Sequence, residues 1–254
     1  MSLLKQQGRS LLRMFLPPCC PLCGRSLQED QSPHSFCTEC LSKMPPVSSP
    51  CCPRCALPFA RSGGPDHLCE DCTRKSPSYE WAAAAGCFDS SLREAIHAFK
   101  FSQRLDLDRP LSNLIIQRLG DRLASFRADL LIPVPLYPAR LRQRTFNPPH
   151  LLAQRLSRFT KSPVSPGALR QIRPHASQRE LSRERRLLNP IGSYEVALPV
   201  EGRRVLLVDD VITTGSTVNE CAKVLRSSGA ASVAIVAAGR APRHSEGGSY
   251  FREK

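Results

Sequence analysis

Residues 205–217, VLLVDDVITTGST, constrain the fold of this 254-residue chain more than any other stretch. Val205, Leu206, Leu207 and Val208 form a short apolar run with β-branched ends, which suits a strand buried on both faces. Asp209 and Asp210 stand where that strand ends. A loop of small residues follows, Thr213-Thr214-Gly215-Ser216-Thr217. Val218, Cys221, Ala222, Val224 and Leu225 then recur at helical spacing, and Gly229 supplies a stop. Strand, loop and helix in that order build an open parallel sheet, whose ligands bind at the carboxyl ends of its strands.

The chemistry of the loop follows from that placement. A loop entering a helix N-terminus aims free N–H groups at one spot, and the helix dipole favours an anion there. Thr213, Thr214, Ser216 and Thr217 add hydroxyl donors, and Gly215 lets the backbone come close. This describes a cradle for one phosphate. The two carboxylates just before it can accept hydrogen bonds from a vicinal diol, so the pair suggests a ribose 5-phosphate. The segment has neither G-x-x-x-x-G-K-[ST] nor a preceding G-x-G-x-x-G, which disfavours a nucleoside triphosphate or a dinucleotide. Position for position, residues 205–217 resemble the phosphoribosyl pyrophosphate (PRPP) signature of type I phosphoribosyltransferases. Thirteen matched positions set the segment apart from an ordinary strand with an acidic end.

The twelve cysteines carry a second pattern. Cys20-x-x-Cys23 with Cys37-x-x-Cys40 form one set, and Cys52-x-x-Cys55 with Cys69-x-x-Cys72 form another, each position offset by 32. Cys19 and Cys51, Pro21 and Pro53, and Pro33 and Pro65 keep the same offset. Paired C-x-x-C turns bring four thiolates to a tetrahedron, which suits Zn²⁺. Two structural zinc sites are therefore expected, with no coordination position open for catalysis. The neighbouring Cys19 and Cys51 leave a second register open, and pairs could be shared between the units. His34 and His67 break the repeat and read as loop residues. Cys87 and Cys221 stand alone and read as small core residues. Residues 17–78 are rich in Pro, Ser and Gly, so metal binding has to supply their folding free energy, on the order of 10 kcal/mol per site.

The chain has no transmembrane run. Its basic start, with Arg13 interrupting a short apolar stretch and no small-residue cleavage site, reads as a leading helix over 1–16 rather than a signal peptide. Reduced thiols and zinc suit a cytoplasmic setting. The formal charge is +14, or about +10 once two Zn(Cys)₄ centres are counted. Residues 140–186 hold eleven arginines and one lysine against Glu180 and Glu184. An arginine fork binds oxyanions bidentately, so this basic segment points to phosphate.

Further elements follow from periodicity. Strands are expected over Tyr79–Phe88, Asp129–Val134, Arg203–Asp210 and Ser232–Ala238. Leu92, Ile96 and Phe99 mark one helix, and Lys100-Phe101 ends it. Leu107, Leu111, Leu114, Ile115, Leu119 and Leu123 mark a second; Leu151, Leu152, Leu156 and Phe159 mark a third. Residues 160–195, with four prolines among many arginines, are expected to be mobile over much of their length. The order is that of an α/β parallel sheet.

The whole arrangement resembles the ComF family, also called GntX-type or double zinc ribbon phosphoribosyltransferase-like proteins. The resemblance rests on the paired cysteine knuckles, Leu92-Arg93 with Lys100-Phe101, and Ile132-Pro133-Val134-Pro135-Leu136 with Arg140 and Arg144. It rests also on Gln178 with Leu181, Arg186 and Asn189, and on the PRPP signature. It implies a double zinc ribbon over 17–78 and a type I phosphoribosyltransferase-like α/β domain over 79–254. It further implies a PRPP site with Mg²⁺ and a link to competence, DNA uptake or nucleotide metabolism. Asp209 and Asp210 would hold the ribose hydroxyls, Thr213 to Thr217 the 5-phosphate, and Arg140 and Arg144 the pyrophosphate. The arginine-rich segment would close over them. PRPP, single-stranded DNA and proteins of the competence machinery are the implied partners. The chain departs from the family's R-G-F-N-Q at Arg144-Thr145-Phe146-Asn147-Pro148, where Thr145 replaces a glycine and Pro148 a glutamine. A competing reading is a zinc-ribbon protein that binds single-stranded nucleic acid and keeps a non-catalytic PRPP site.

Overall fold

The computed structural model of the chain describes residues 18–28, 31–59, 63–174 and 190–243. The leading helix expected over 1–16 lies outside them, as do Gln178, Leu181, Arg186 and Asn189.

Residues 18–78 contain two copies of one small unit. In the first, Cys20 N donates to Arg25 O (2.7 Å) and Gly24 N to Cys20 O (2.9 Å). In the second, Cys52 N donates to Leu57 O (2.9 Å) and Ala56 N to Cys52 O (2.8 Å). Antiparallel bridges join Cys19 to Ser26 and Cys51 to Pro58. The later cysteine pair of each unit opens a short helix, α1 (Thr38–Ser42) or α2 (Glu70–Arg74), with Cys37 or Cys69 extended at its N-cap. All these matches keep the offset of 32, so the repeat in sequence is a repeat in structure.

The rest of the chain runs β1 (Trp81–Cys87), α3 (Ser90–Phe101), α4 (Asp108–Phe126), β2 (Leu130–Pro133), α5 (Pro138–Arg144) and α6 (Pro148–Thr160). It continues with β3 (Leu169–Gln171), β4 (Tyr194–Val196), β5 (Arg204–Ile212), α7 (Ser216–Ser227) and β6 (Ser232–Arg240). Four strands form one parallel sheet in the order β1-β6-β5-β2. β5 and β6 are buried almost end to end, as a sheet covered on both faces requires. Leu92, Ile96 and Phe99 of α3, and Leu111, Leu114, Ile115 and Leu123 of α4, turn inward as their spacing predicts. Phe159 of α6 differs: it stays exposed, although its ring would meet a Cβ placed on Gly120 at 3.3 Å.

Two elements escape periodicity. α5 buries no residue, so it has no apolar stripe to announce it. β3 and β4 form a separate antiparallel pair at the two ends of the stretch expected to be mobile. Leu169, Gln171 and Tyr194 turn inward while Arg170 and Glu195 face out, but three residues are too few to show alternation.

The sheet has two cores. Leu206 and Val208 of β5 face a core shared with α3, α4 and α6, whereas Val205 and Leu207 face a core shared with α7. The two cysteine units divide between them. Leu27, Phe36 and Met44 of the first pack into the α3–α4–α6 core; Leu57 of the second, with Tyr79 just past it, packs into the α7 core.

Candidate functional site

The eight ligand cysteines gather as two fours. Cys20, Cys23, Cys37 and Cys40 bring their sulfurs within 4.8 Å of one another, and so do Cys52, Cys55, Cys69 and Cys72. A tetrahedral zinc with Zn–S near 2.3 Å needs sulfurs about 3.8 Å apart. The structure has Cys20 to Cys40 at 3.8 Å, Cys23 to Cys37 at 3.5 Å and Cys55 to Cys69 at 3.6 Å. The residues present therefore fit zinc, and no pair is joined as a disulfide. Both open alternatives close. Each site draws on its own unit, and Cys19 and Cys51 lie outside, held in the backbone bridges. Burial raises the Cys20 thiol, but N–H donors of Cys37, Cys23 and Leu22 outweigh it and bring it from 9.0 to about 7. Cys52 reaches about 7 in the same way through Cys69, Cys55 and Arg54. His34 contacts Arg109 (2.7 Å) and His67 stacks on Phe59, so neither is a ligand. Cys87 and Cys221 are buried core residues.

The second site sits at the carboxyl end of β5. The strand runs two residues past the acids, to Ile212, so Asp209 and Asp210 lie within it and both are buried. Successive side chains point to opposite faces. Asp210 faces the α3 side, where Lys100 Nζ meets its Oδ1 at 2.6 Å. Asp209 faces the α7 side, and its Oδ1 accepts from the Asp210 N–H at 2.8 Å. Burial first, then the charge of Asp210, raises the Asp209 carboxyl from 3.8 to about 7, with Lys100 opposing.

The loop turns at Gly215, whose φ of +80° is a left-handed conformation that favours glycine, and it caps α7. Thr214 Oγ1 and Ser216 Oγ share a hydrogen bond of 2.7 Å. Thr213 is exposed, and Thr214, Gly215, Ser216 and Thr217 are half-buried along the rim. α5 presents Arg140, exposed, and Arg144, half-buried, with the Arg144 guanidinium 4.8 Å over the ring of Phe101. Burial lowers Arg144, Asp210 opposes that shift, and Arg140 adds to it. Asp210 and both arginines therefore share one electrostatic neighbourhood. Thr145 closes α5 with φ of +67°, a conformation that suits a glycine better than a β-branched residue.

Two residues of this region were not legible as members of a site. Lys100 belongs to the Lys100-Phe101 signature, but only the fold brings it to Asp210. Arg240 ends β6 and is buried against the loop. The basic segment is also less uniform than its composition suggests. Arg155 pairs with Asp108 at 2.7 Å, while Arg142 and Arg158 are exposed.

Comparison with known proteins agrees with both halves. Residues 11–73 match the family described as a double zinc ribbon domain, and residues 162–247 the family described as a phosphoribosyl transferase domain. With two Cys₄ zinc-binding sites and a parallel sheet, these define a phosphoribosyltransferase-fold protein that carries a double zinc ribbon. Competence protein F of Haemophilus influenzae is 34% identical over 170 residues, covering 65% of this chain and 74% of that protein. The chain belongs to the ComF family. DNA utilization protein YhgH of Shigella flexneri is 38% identical over 147 residues, 57% of this chain. The match spans 65% of the length of that YhgH. Competence protein ComFC of Bacillus subtilis is 26% identical over 227 residues, covering 88% of this chain and 78% of that protein. Among the described residues no helix is long and apolar enough to cross a membrane.

Proposed function

We propose that the chain binds PRPP at the carboxyl end of β5, as a phosphoribosyltransferase-like protein of cytoplasmic DNA uptake or nucleotide metabolism. The observation that carries this reading is the continuity of Asp209 and Asp210 with the Thr213–Thr217 loop at the start of α7. Lys100 and Arg144 complete the charge around it.

In this reading the loop anchors the 5-phosphate through α7 N–H groups and hydroxyls, which supplies remote binding energy to position C1. Asp209 and Asp210 accept hydrogen bonds from the ribose hydroxyls. Their charge favours the positive charge that develops at C1 as its bond to pyrophosphate breaks. Arg140 and Arg144 receive the pyrophosphate. Mg²⁺ bound with PRPP supplies charge neutralisation at the leaving group. Both zinc sites are closed by four thiolates and hold structure only.

Calorimetric titration of PRPP and Mg²⁺ into zinc-loaded protein tests the reading. Binding to the wild type is expected, and its loss in a folded Asp209→Asn/Asp210→Asn variant. A folded wild type that takes up no PRPP overturns it. A second reading, single-stranded DNA binding, is favoured by the exposed arginines and by the names of the relatives. A steep fall of DNA affinity with salt, at PRPP-independent strength, would support that one instead.

A further inference from the structure

Arg240 is the last residue of β6, paired in register with Cys87 of β1 and Ile212 of β5, and only 3% exposed. Its side chain reaches two features already described. Nε donates to the Cys55 carbonyl at 3.0 Å, and Nη2 approaches the Cys55 sulfur at 3.9 Å. Nη1 donates to the carbonyls of Ile212 (3.1 Å), Thr213 and Ala241 (2.9 Å). Cys55 is a ligand of the second zinc site. Ile212 and Thr213 lead into the phosphate loop. One buried side chain spans both.

A buried cation needs a counter-charge. Among the described residues no carboxylate pairs with Arg240; its partners are carbonyl oxygens and the Cys55 sulfur. A Zn(Cys)₄ centre carries two negative charges, so the loaded second site faces the guanidinium with the charge it lacks. One more hydrogen bond fastens the same region to the loop's helix: Ser78 N donates to Asn219 Oδ1 at 2.9 Å.

We propose that Arg240 is a positioning residue that ties the second zinc site to the phosphate loop. Through it, a metal-loaded second ribbon holds the loop in the shape that grips a 5-phosphate. The effect on phosphate rests on the PRPP reading; the tie between ribbon and loop does not.

The test uses full-length, zinc-loaded wild type, Arg240→Met and Arg240→Lys, with Arg104→Ala at the first ribbon as control. Amide hydrogen exchange is followed without ligand, zinc content is counted, and PRPP affinity is measured with Mg²⁺. In Arg240→Met the amides of 213–217 should exchange about tenfold faster, with two zinc ions retained and the amides of β6 and of β5 up to Val211 unchanged. PRPP binding should weaken about tenfold. Arg240→Lys keeps the charge and loses the fork, so its loop amides should speed up about threefold. It decides the matter alone if the Met variant does not fold. Unchanged loop exchange, or acceleration spread evenly over the sheet, overturns the tie. Faster loop exchange in a protein whose wild type binds no PRPP upholds the tie and overturns the PRPP reading.

Discussion

The two zinc ribbons share a repeat of 32 positions and the same backbone bonds, yet they touch different things. The first keeps Cys23 exposed and is held from outside. Arg104 donates to Pro21 O (2.6 Å), Asn113 to His34 O (2.9 Å) and Arg118 to Met44 O (2.7 Å). The second has all four ligands buried and meets the Thr213–Thr217 loop through Arg240. The face of the first ribbon also serves the acid pair, but through a helix: α3 delivers Lys100 to Asp210. Duplication has preserved the metal geometry and let the neighbours diverge. One copy props a layer of helices, and the other abuts the loop.

The largest test of that contrast is the loss of one ligand from each site. A structural zinc contributes on the order of 10 kcal/mol to the folding of its unit. Cys23→Ser and Cys55→Ser should each cost one zinc, counted with a chromogenic chelator. Only Cys55→Ser should also deprotect the amides of 213–217 and abolish PRPP binding. Equal loop damage in both variants would break the contrast.

The next test belongs to the face of the first ribbon. Lys100→Met leaves Asp210 buried without its partner, which should cost about 3 kcal/mol in denaturant unfolding, the lower end for a buried pair because Lys100 is partly exposed. Adding Asp210→Asn should recover part of that loss. Both zinc sites should stay filled, since neither contacts Lys100. A cost under about 1 kcal/mol would mean that water screens the pair.

The acid pair itself straddles the two faces, and pH separates its members. Asp209 lies on the α7 side, and its folded-state carboxyl stands at about 7 against 3.8, from burial and then from Asp210. Between those values the folded chain holds more proton than the unfolded chain. This residue's contribution to stability is therefore fully present at low pH and is lost as pH rises from about 4 to about 7. Asp209→Asn should flatten that decline in unfolding curves taken across the window. An unaltered slope would show that Asp209 titrates as an ordinary carboxyl.

Much of this design is legible in the residues themselves, and the rest fails for identifiable reasons. The C-x-x-C spacing is rigid enough to name eight ligands, but adjacent cysteines at 19 and 20 look alike until a backbone bridge takes Cys19 away. The signature segment declares strand, acids, loop and helix because each has its own chemistry. Lys100 is 110 positions from Asp210, and nothing local marks the pair. Arg240 ends an apolar strand and would ordinarily reach solvent. It is buried because the second ribbon lies across the end of the sheet. α5 turns all its side chains outward or to the margin, so no period betrays it.

The smallest test returns to the repeat itself. Gly24 and Ala56 occupy the same place in the two knuckles, and both are left-handed, at φ of +75° and +56°. That conformation costs a residue with a Cβ roughly 1–2 kcal/mol. Replacing glycine by alanine returns about 0.4–1 kcal/mol through the unfolded chain. At Gly24 nothing lies within 4 Å of an added Cβ, so no packing offsets the remainder. Gly24→Ala should destabilise by about 1 kcal/mol. Ala56 is 6% exposed, and its methyl contributes about 0.8 kcal/mol by burial. Ala56→Gly would relieve the backbone but lose that burial and the chain-entropy benefit, so it should be neutral within about 0.5 kcal/mol. Thermal unfolding of the zinc-loaded variants reads both. Opposite changes of equal size would mean that the two knuckles are interchangeable and that the packing of the second against the sheet carries no weight at this position.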